Sequence, residues 1–155
     1  LDDGGFAVGI DGSDYNLRHQ RAEWATVPHN LFTADITKPF KLSNNNGGPL
    51  TFDAVTMWEV LEHIAPADLA VVLANVKRHL APGGMLICSI ALVADPPYHQ
   101  TVEAAPWWRD RLARAHLYED TAARDFFHPD WVRGWDTDAR SSYCTACAQT
   151  EDPGR

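Results

Sequence analysis

Two short apolar runs in this chain each end on an aspartate followed by a small or apolar residue. Phe6-Ala7-Val8-Gly9-Ile10 leads into Asp11-Gly12, and Asn30-Leu31-Phe32-Thr33-Ala34 leads into Asp35-Ile36. A carboxylate at the end of a buried strand can accept both hydroxyls of a ribose. A second carboxylate can accept from an exocyclic amine while its apolar neighbour packs against a flat base. Aspartate also favours turns and caps for local reasons, so neither acid alone separates the two roles. Glu59, Glu62 and His63 crowd the end of a third run, Phe52-Asp53-Ala54-Val55-Thr56-Met57-Trp58. Histidine is the residue type that exchanges a proton near neutral pH, so His63 can act as a base toward a hydroxyl or amine. The plainer role for His63 is a structural hydrogen bond to backbone. Glu59 and Glu62 can steer a cationic group, and for Glu62 the plainer role is a solvated carboxylate. Cys144-Thr145-Ala146-Cys147 has C-x-x-C spacing, but no second pair completes a zinc set, and on a strand the two thiols face opposite sides. No metal site is expected. Arg109, Arg111 and Arg114 form a solvated face unless they converge into an anion site.

The surrounding sequence supplies elements to hold these groups. A helix opens at Ser13 or Asp14 and closes before Pro28, with Leu17 and Trp24 as its apolar anchors. Residues 44–49 form a loop. Pro66 starts a second helix, with Leu69, Val72, Leu73, Val76 and Leu80 at helical spacing and Lys77-Arg78-His79 in its last turn. Pro82-Gly83-Gly84 stops it, and residues 85–93 make a strand apolar on both faces. Thr101 caps a third helix that buries Trp108, Leu112 and Ala115 and pairs Asp110 with Arg114. Residues 126–135 read as an aromatic loop or lid, and residues 142–148 as a last strand. Strands alternating with helices give an α/β fold, a mostly parallel sheet with helices on both faces, whose ligands bind at the carboxyl ends of the strands.

Composition narrows the classes. A chain of 155 residues, 45% hydrophobic and 22% charged, is sized for one globular domain. Thirteen Lys and Arg against 21 Asp and Glu leave a net charge of −8, which argues against a general affinity for nucleic acid or anionic membrane. No apolar stretch approaches the ~20 residues of a membrane span. Three cysteines without a disulfide framework fit a reducing compartment such as the cytoplasm.

Taken in order, Gly9-Ile10-Asp11-Gly12-Ser13, Ala34-Asp35-Ile36, the run from Phe52 through Glu59-Val60-Leu61-Glu62-His63-Ile64, and Leu80-Ala81-Pro82-Gly83-Gly84-Met85-Leu86 resemble successive motifs of class I S-adenosylmethionine-dependent methyltransferases. The branch resembled is the one whose fourth strand enters E-V-L-E-H, and the likeness covers residues 4 to 93. It implies a Rossmann-like fold and S-adenosylmethionine as cofactor, with Asp11 on the ribose hydroxyls, Asp35 on the adenine amine, and Gly12 and Ile36 flanking the adenine. Trp58 and Glu59 would lie near the methionine end, with His63 and Glu59 as catalytic groups toward a small-molecule acceptor. Residues 94–140 would form the acceptor side or a lid, with Trp107, Trp108, Trp131 and Trp135 as an aromatic wall beside Tyr98 and His99.

The chain opens on Leu1, and the family's first strand, first helix and glycine-rich loop have no counterpart in it. The fold is therefore expected to be N-terminally incomplete, with open strand edges and impaired activity. Two further readings stay open. One is an NAD(P)-dependent oxidoreductase, because an acid ending the second strand also serves a nicotinamide ribose. The other is a methyltransferase-like module that binds a partner without catalysis.

Overall fold

Phe6 to Trp24 sets up the first of two compact units, Leu1–Lys38 and Pro39–Arg155, in a computed structural model that describes residues 5–126 and 142–149. In the first unit, strand β1 (Gly9–Asp11) pairs in parallel with β2 (Leu31–Thr33), Asp11 lying opposite Thr33. Gly9 is needed at this contact, since a Cβ there would fall 2.7 Å from the Leu31 side chain. The expected strand at residues 6–10 is shorter, later and less covered, with Phe6 64% exposed. The expected single helix is also broken. Helix α1 spans only Tyr15–His19 and ends where Gln20 turns left-handed, and 3₁₀ turns at Ala22–Ala25 and Pro28–Asn30 follow. Its sequence carries too few apolar residues at helical spacing to bury one face. Trp24 is buried as expected, but Leu17 is exposed.

The second unit is a four-stranded sheet in the order β3-β4-β6-β5, formed by Phe52–Trp58, Leu80–Ala91, Ser142–Gln149 and Leu117–Glu119. β3 runs parallel to β4, while β6 runs antiparallel to both β4 and β5. Within this sheet β3, β4 and β5 therefore run in one direction and β6 alone is reversed. The fold class is α/β with a mixed, mostly parallel sheet. Among the described residues, β1 and β3 each have a strand partner on one side only.

Helix α2 (Leu69–His79) packs on β3 and β4 through Leu69, Val72, Leu73 and Val76, all buried. Each such side chain contributes about 1.5–3 kcal/mol on leaving water. Pro66 opens the turn ahead of this helix rather than its first residue. His79, expected to serve the helix dipole, is buried. Its Nδ1 donates to the Asn75 carbonyl at 2.8 Å, and its Nε2 accepts the Leu42 N–H at 2.9 Å. It therefore ties the segment after Lys38 onto the helix end.

The Pro82-Gly83-Gly84 stretch lies within β4 as an irregularity, because Phe52 pairs with Leu80 while Ala54 already pairs with Met85. Gly83 adopts φ +78°, and a Cβ on Gly84 would come within 2.9 Å of the Ala81 and Phe52 carbonyl oxygens. Beyond it, Leu86, Cys88 and Ile90 are fully buried, while Met85 and Ile87 on the other face are only half-buried.

Helix α3 (Ala105–Arg114) packs against β5, with Trp108 and Leu112 buried, and α4 (Thr121–Phe126) follows. Thr101 is buried and does not cap α3; its hydroxyl donates to the Ile64 carbonyl at 2.6 Å. Most of the aromatic segment 126–135, with Trp131 and Trp135, lies outside the described residues. On β6, Cys147 is buried and Cys144 half-buried, and burial pushes the Cys147 thiol up to about 11. Among the described residues, no helix is long and apolar enough to cross a membrane.

Candidate functional site

The two acids expected to meet a nucleoside lie at the carboxyl ends of adjacent parallel strands. Asp11 is the last residue of β1, and Asp35 stands two residues beyond β2. The Ala34 N–H donates to the Asp11 carbonyl at 3.0 Å and holds the two strand ends together. Both carboxylates also make local bonds. Asp11 accepts from the Ser13 N–H at 2.9 Å and from Asn16 Nδ2 at 3.1 Å. Asp35 accepts from the Thr37 hydroxyl at 2.6 Å and the Thr37 N–H at 2.9 Å, both through Oδ1. Those bonds, the hydroxyl first and then the N–H, hold the Asp35 carboxyl below its ordinary range. A carboxylate has about four acceptor positions, so two local bonds orient each acid and leave capacity for a ligand. Gly12 has no atom within 4 Å of where a Cβ would stand, and Ile36 is half-buried. The side chains beside the two acids are therefore open space at one and apolar surface at the other.

In the second unit, Trp58 ends β3 and is 43% exposed. Glu59 follows with φ +53°, in the left-handed region that non-glycine residues enter at a cost. The Glu59 N–H donates to both the carbonyl and the hydroxyl of Ser89 on β4, each at 3.1 Å, and this fixes the turn. A short 3₁₀ turn, Leu61–His63, then carries Glu62 inward and His63 outward.

Glu62 corrects its expected role as a solvated carboxylate: it is 0% exposed. Its Oε1 accepts the Ala91 N–H at 3.2 Å, and its Oε2 has no hydrogen-bond partner among the described residues. Loss of water raises its carboxyl pKa, against the smaller opposite pull of its backbone hydrogen bonds. The folded state therefore holds the Glu62 proton more tightly than the unfolded chain, whose carboxyl has its ordinary value of 4.5. The contribution of this group to stability is full below that value and is lost as pH rises through the raised one. Glu62→Gln keeps an acceptor for Ala91 and cannot ionise. Its stability relative to the parent should increase as urea unfolding is repeated from about pH 4 to about pH 8. Parallel curves for the two proteins would show that Glu62 is ionised in the fold at no cost.

His63 is exposed, and its Nδ1 lies 3.1 Å from the Tyr98 carbonyl oxygen. A carbonyl only accepts, so Nδ1 carries the hydrogen and Nε2 keeps a lone pair. His99 stands beside it, with ring centroids 4.9 Å apart at 79°. Sequence reasoning placed His99 only in an aromatic stretch. No spacing rule joins it to His63, because a turn closed by the Asp95 carbonyl accepting from the Tyr98 and His99 N–H groups makes the approach.

The arginines of α3 do not converge. Arg109 pairs with Glu119 at 3.3 Å, Arg114 with Asp110 at 2.7 Å, and Arg111 lies 4.9 Å over the Trp107 ring.

The Methyltransferase domain family model matches residues 5–128, which includes both strand-end acids and the whole Trp58–His63 turn. The chain belongs to this family. The methyltransferase domain also has the fold of solved methyltransferases. One is the 1,6-didemethyltoxoflavin-N1-methyltransferase of Burkholderia thailandensis, solved with 1,6-didemethyltoxoflavin and S-adenosylhomocysteine bound, at TM-score 0.61 and 17% identity over 97% of this chain and 64% of that one. Another is the N-methyltransferase NodS of Bradyrhizobium japonicum, at TM-score 0.59 and 18% identity over 94% of this chain and 74% of that one. A third is an amino pentose methyltransferase from Micromonospora echinaspora, solved with SAM bound, at TM-score 0.60 and 16% identity over 96% of this chain and 76% of that one. The methyltransferase domain thus spans about two thirds to three quarters of these three proteins. No curated protein sequence matches it.

Proposed function

We propose that this protein transfers a methyl group from S-adenosylmethionine to a small-molecule acceptor by in-line displacement. The observation that carries the reading is the pair of aspartates at the carboxyl ends of neighbouring parallel strands in a chain of this family. Asp11, oriented by Ser13 and Asn16, would take the ribose hydroxyls, and Asp35, oriented by Thr37, the adenine amine. Gly12 leaves room for the adenine to lie against the backbone, and Ile36 packs its face. Trp58 and Glu59 would meet the methionine end, and residues 94–140 would form the acceptor side. The cofactor supplies a methyl already activated by its sulfonium.

The remaining work for the protein is alignment of donor and acceptor and removal of the acceptor proton. His63 Nε2 would take that proton, and Glu59 would meet a positively charged acceptor group. Solved neighbours with S-adenosylmethionine or its demethylated product bound support the cofactor assignment.

Calorimetry with S-adenosylmethionine tests the reading. Asp11→Ala should weaken binding by about 1–3 kcal/mol, or roughly 5- to 150-fold, because a charge-assisted acceptor of two hydroxyls is lost. Binding of NAD without S-adenosylmethionine would transfer the chain to the oxidoreductase reading. Binding of neither would leave the partner-binding module.

A further inference from the structure

Glu62, His63 and His99 each offer one ligand atom, and these atoms lie within 4.8 Å of one another. Two features prepare them for a cation. Both imidazoles have Nδ1 against a backbone carbonyl, His63 at 3.1 Å from Tyr98 and His99 at 2.6 Å from Val93. Both rings are thereby fixed as the tautomer with a lone pair on Nε2, the same outer support that metal-bound histidines use. The second feature is Glu62 itself, fully buried, with one oxygen bonded to Ala91 and the other without a partner among the described residues. A buried carboxylate oxygen in that state is costly until a cation or donor meets it.

The backbone also locks the two turns together. The Gln100 and Thr101 N–H groups both donate to the Glu62 carbonyl, at 2.8 and 3.0 Å, and Gln100 Nε2 donates to the His63 carbonyl at 2.9 Å. The turn that carries His99 is thus pinned to the turn that carries the other two residues, so little ordering is left to be done on binding.

We propose that Glu62, His63 and His99 bind one divalent transition-metal ion of the zinc class. Two imidazoles and one carboxylate suit zinc or cobalt far better than magnesium or calcium, which prefer all-oxygen sets. Zinc bonds of roughly 2.0–2.2 Å in a tetrahedral set space ligand atoms about 3.3–3.6 Å apart, so binding draws the three atoms, now within 4.8 Å, together by up to about 1.5 Å. Three protein ligands with His63 exposed leave a fourth position facing solvent, the arrangement of an open metal site. The existence of this site does not depend on the methyl-transfer reading; its use does. Nε2 of His63 has one lone pair, which serves a proton in the metal-free protein and the ion in the loaded one. A bound ion would then lower the proton affinity of an acceptor hydroxyl in place of the base.

The test is titration of the full chain with cobalt(II), after treatment with a chelator and dialysis, followed by visible absorption and by calorimetric competition with zinc. One ion per chain is expected, with ligand-field bands and no thiolate charge-transfer band. His63→Ala, His99→Ala and Glu62→Gln should each weaken binding at least about tenfold. His29→Gln, an exposed histidine in the other unit, should bind as the parent does. His99→Ala decides the matter if Glu62→Gln fails to fold, because His99 is only partly covered. No binding, binding that survives all three substitutions, or a thiolate band would overturn the proposal. None of these outcomes involves S-adenosylmethionine or an acceptor, so they leave the methyl-transfer reading to its own test.

Discussion

His63→Ala is expected to lower kcat by about 10²- to 10⁴-fold while leaving S-adenosylmethionine affinity nearly unchanged. The loss follows from geometry. The ring is exposed and its Nδ1 donates to the Tyr98 carbonyl, which leaves Nε2 as the proton-accepting nitrogen. The same hydrogen bond provides a control. In His63→Asn an amide N–H can still donate to the Tyr98 carbonyl, but nothing remains to take a proton. Under the proposed role, the alanine and asparagine variants lose rate to the same extent. An asparagine variant that regains most of the parental kcat would mean that His63 only holds the turn at Tyr98. Steady-state rates with the acceptor in excess, beside cofactor affinities from calorimetry, separate the two cases.

Trp108→Ala should cost about 3–5 kcal/mol, enough to consume much of the stability of a small unit. Trp108 is the largest of the fully buried side chains, on the face of α3 that meets β5. Its indole N–H is buried without a hydrogen-bond partner among the described residues. An unpaired buried donor costs about 1–3 kcal/mol, so Trp108 stabilises the fold through area and packing despite its polar atom. Trp108→Phe removes that donor and keeps most of the ring, so its loss should be clearly smaller than that of the alanine variant. Urea midpoints of both variants at one pH check this. Equal destabilisation by alanine and phenylalanine would show that the indole N–H is satisfied in solution.

The parts legible in the sequence were those set by local pattern. The strand at Phe52–Trp58 has its expected limits, the buried positions of α2 and α3 follow helical spacing, and Asp110 pairs with Arg114. Gly83 and Gly84 had a visible turn signal, although their place within β4 depends on pairing with Phe52. The first unit was less legible, because its few apolar residues suit several arrangements and the long helix expected there breaks at Gln20.

The acids at the strand ends could be read because apolar runs stop at them. The inward turn of Glu62 could not, since a carboxylate beside a histidine at the end of a strand normally stays in water. That burial comes from the Glu59 turn bonded to Ser89, and from Gln100 and Thr101 holding the Glu62 carbonyl, contacts about thirty to forty residues apart in sequence. Tertiary contacts of that range leave no local periodicity to detect.

The position of β6 governs the order in which the second unit can be made. This strand is the last described element in the chain, yet it lies between β4 and β5 in the sheet. During synthesis, β3, α2 and β4 can assemble from neighbouring segments as they emerge. Among the described residues β5 has no other strand beside it and must wait for residues 142–149. One long edge of β4, from Met85 to Ala91, also stays open until then. The nascent chain therefore passes through a stage with apolar strand exposed, and completion of the sheet waits on the emergence of residues 142–149 rather than on the rate at which the early ones fold.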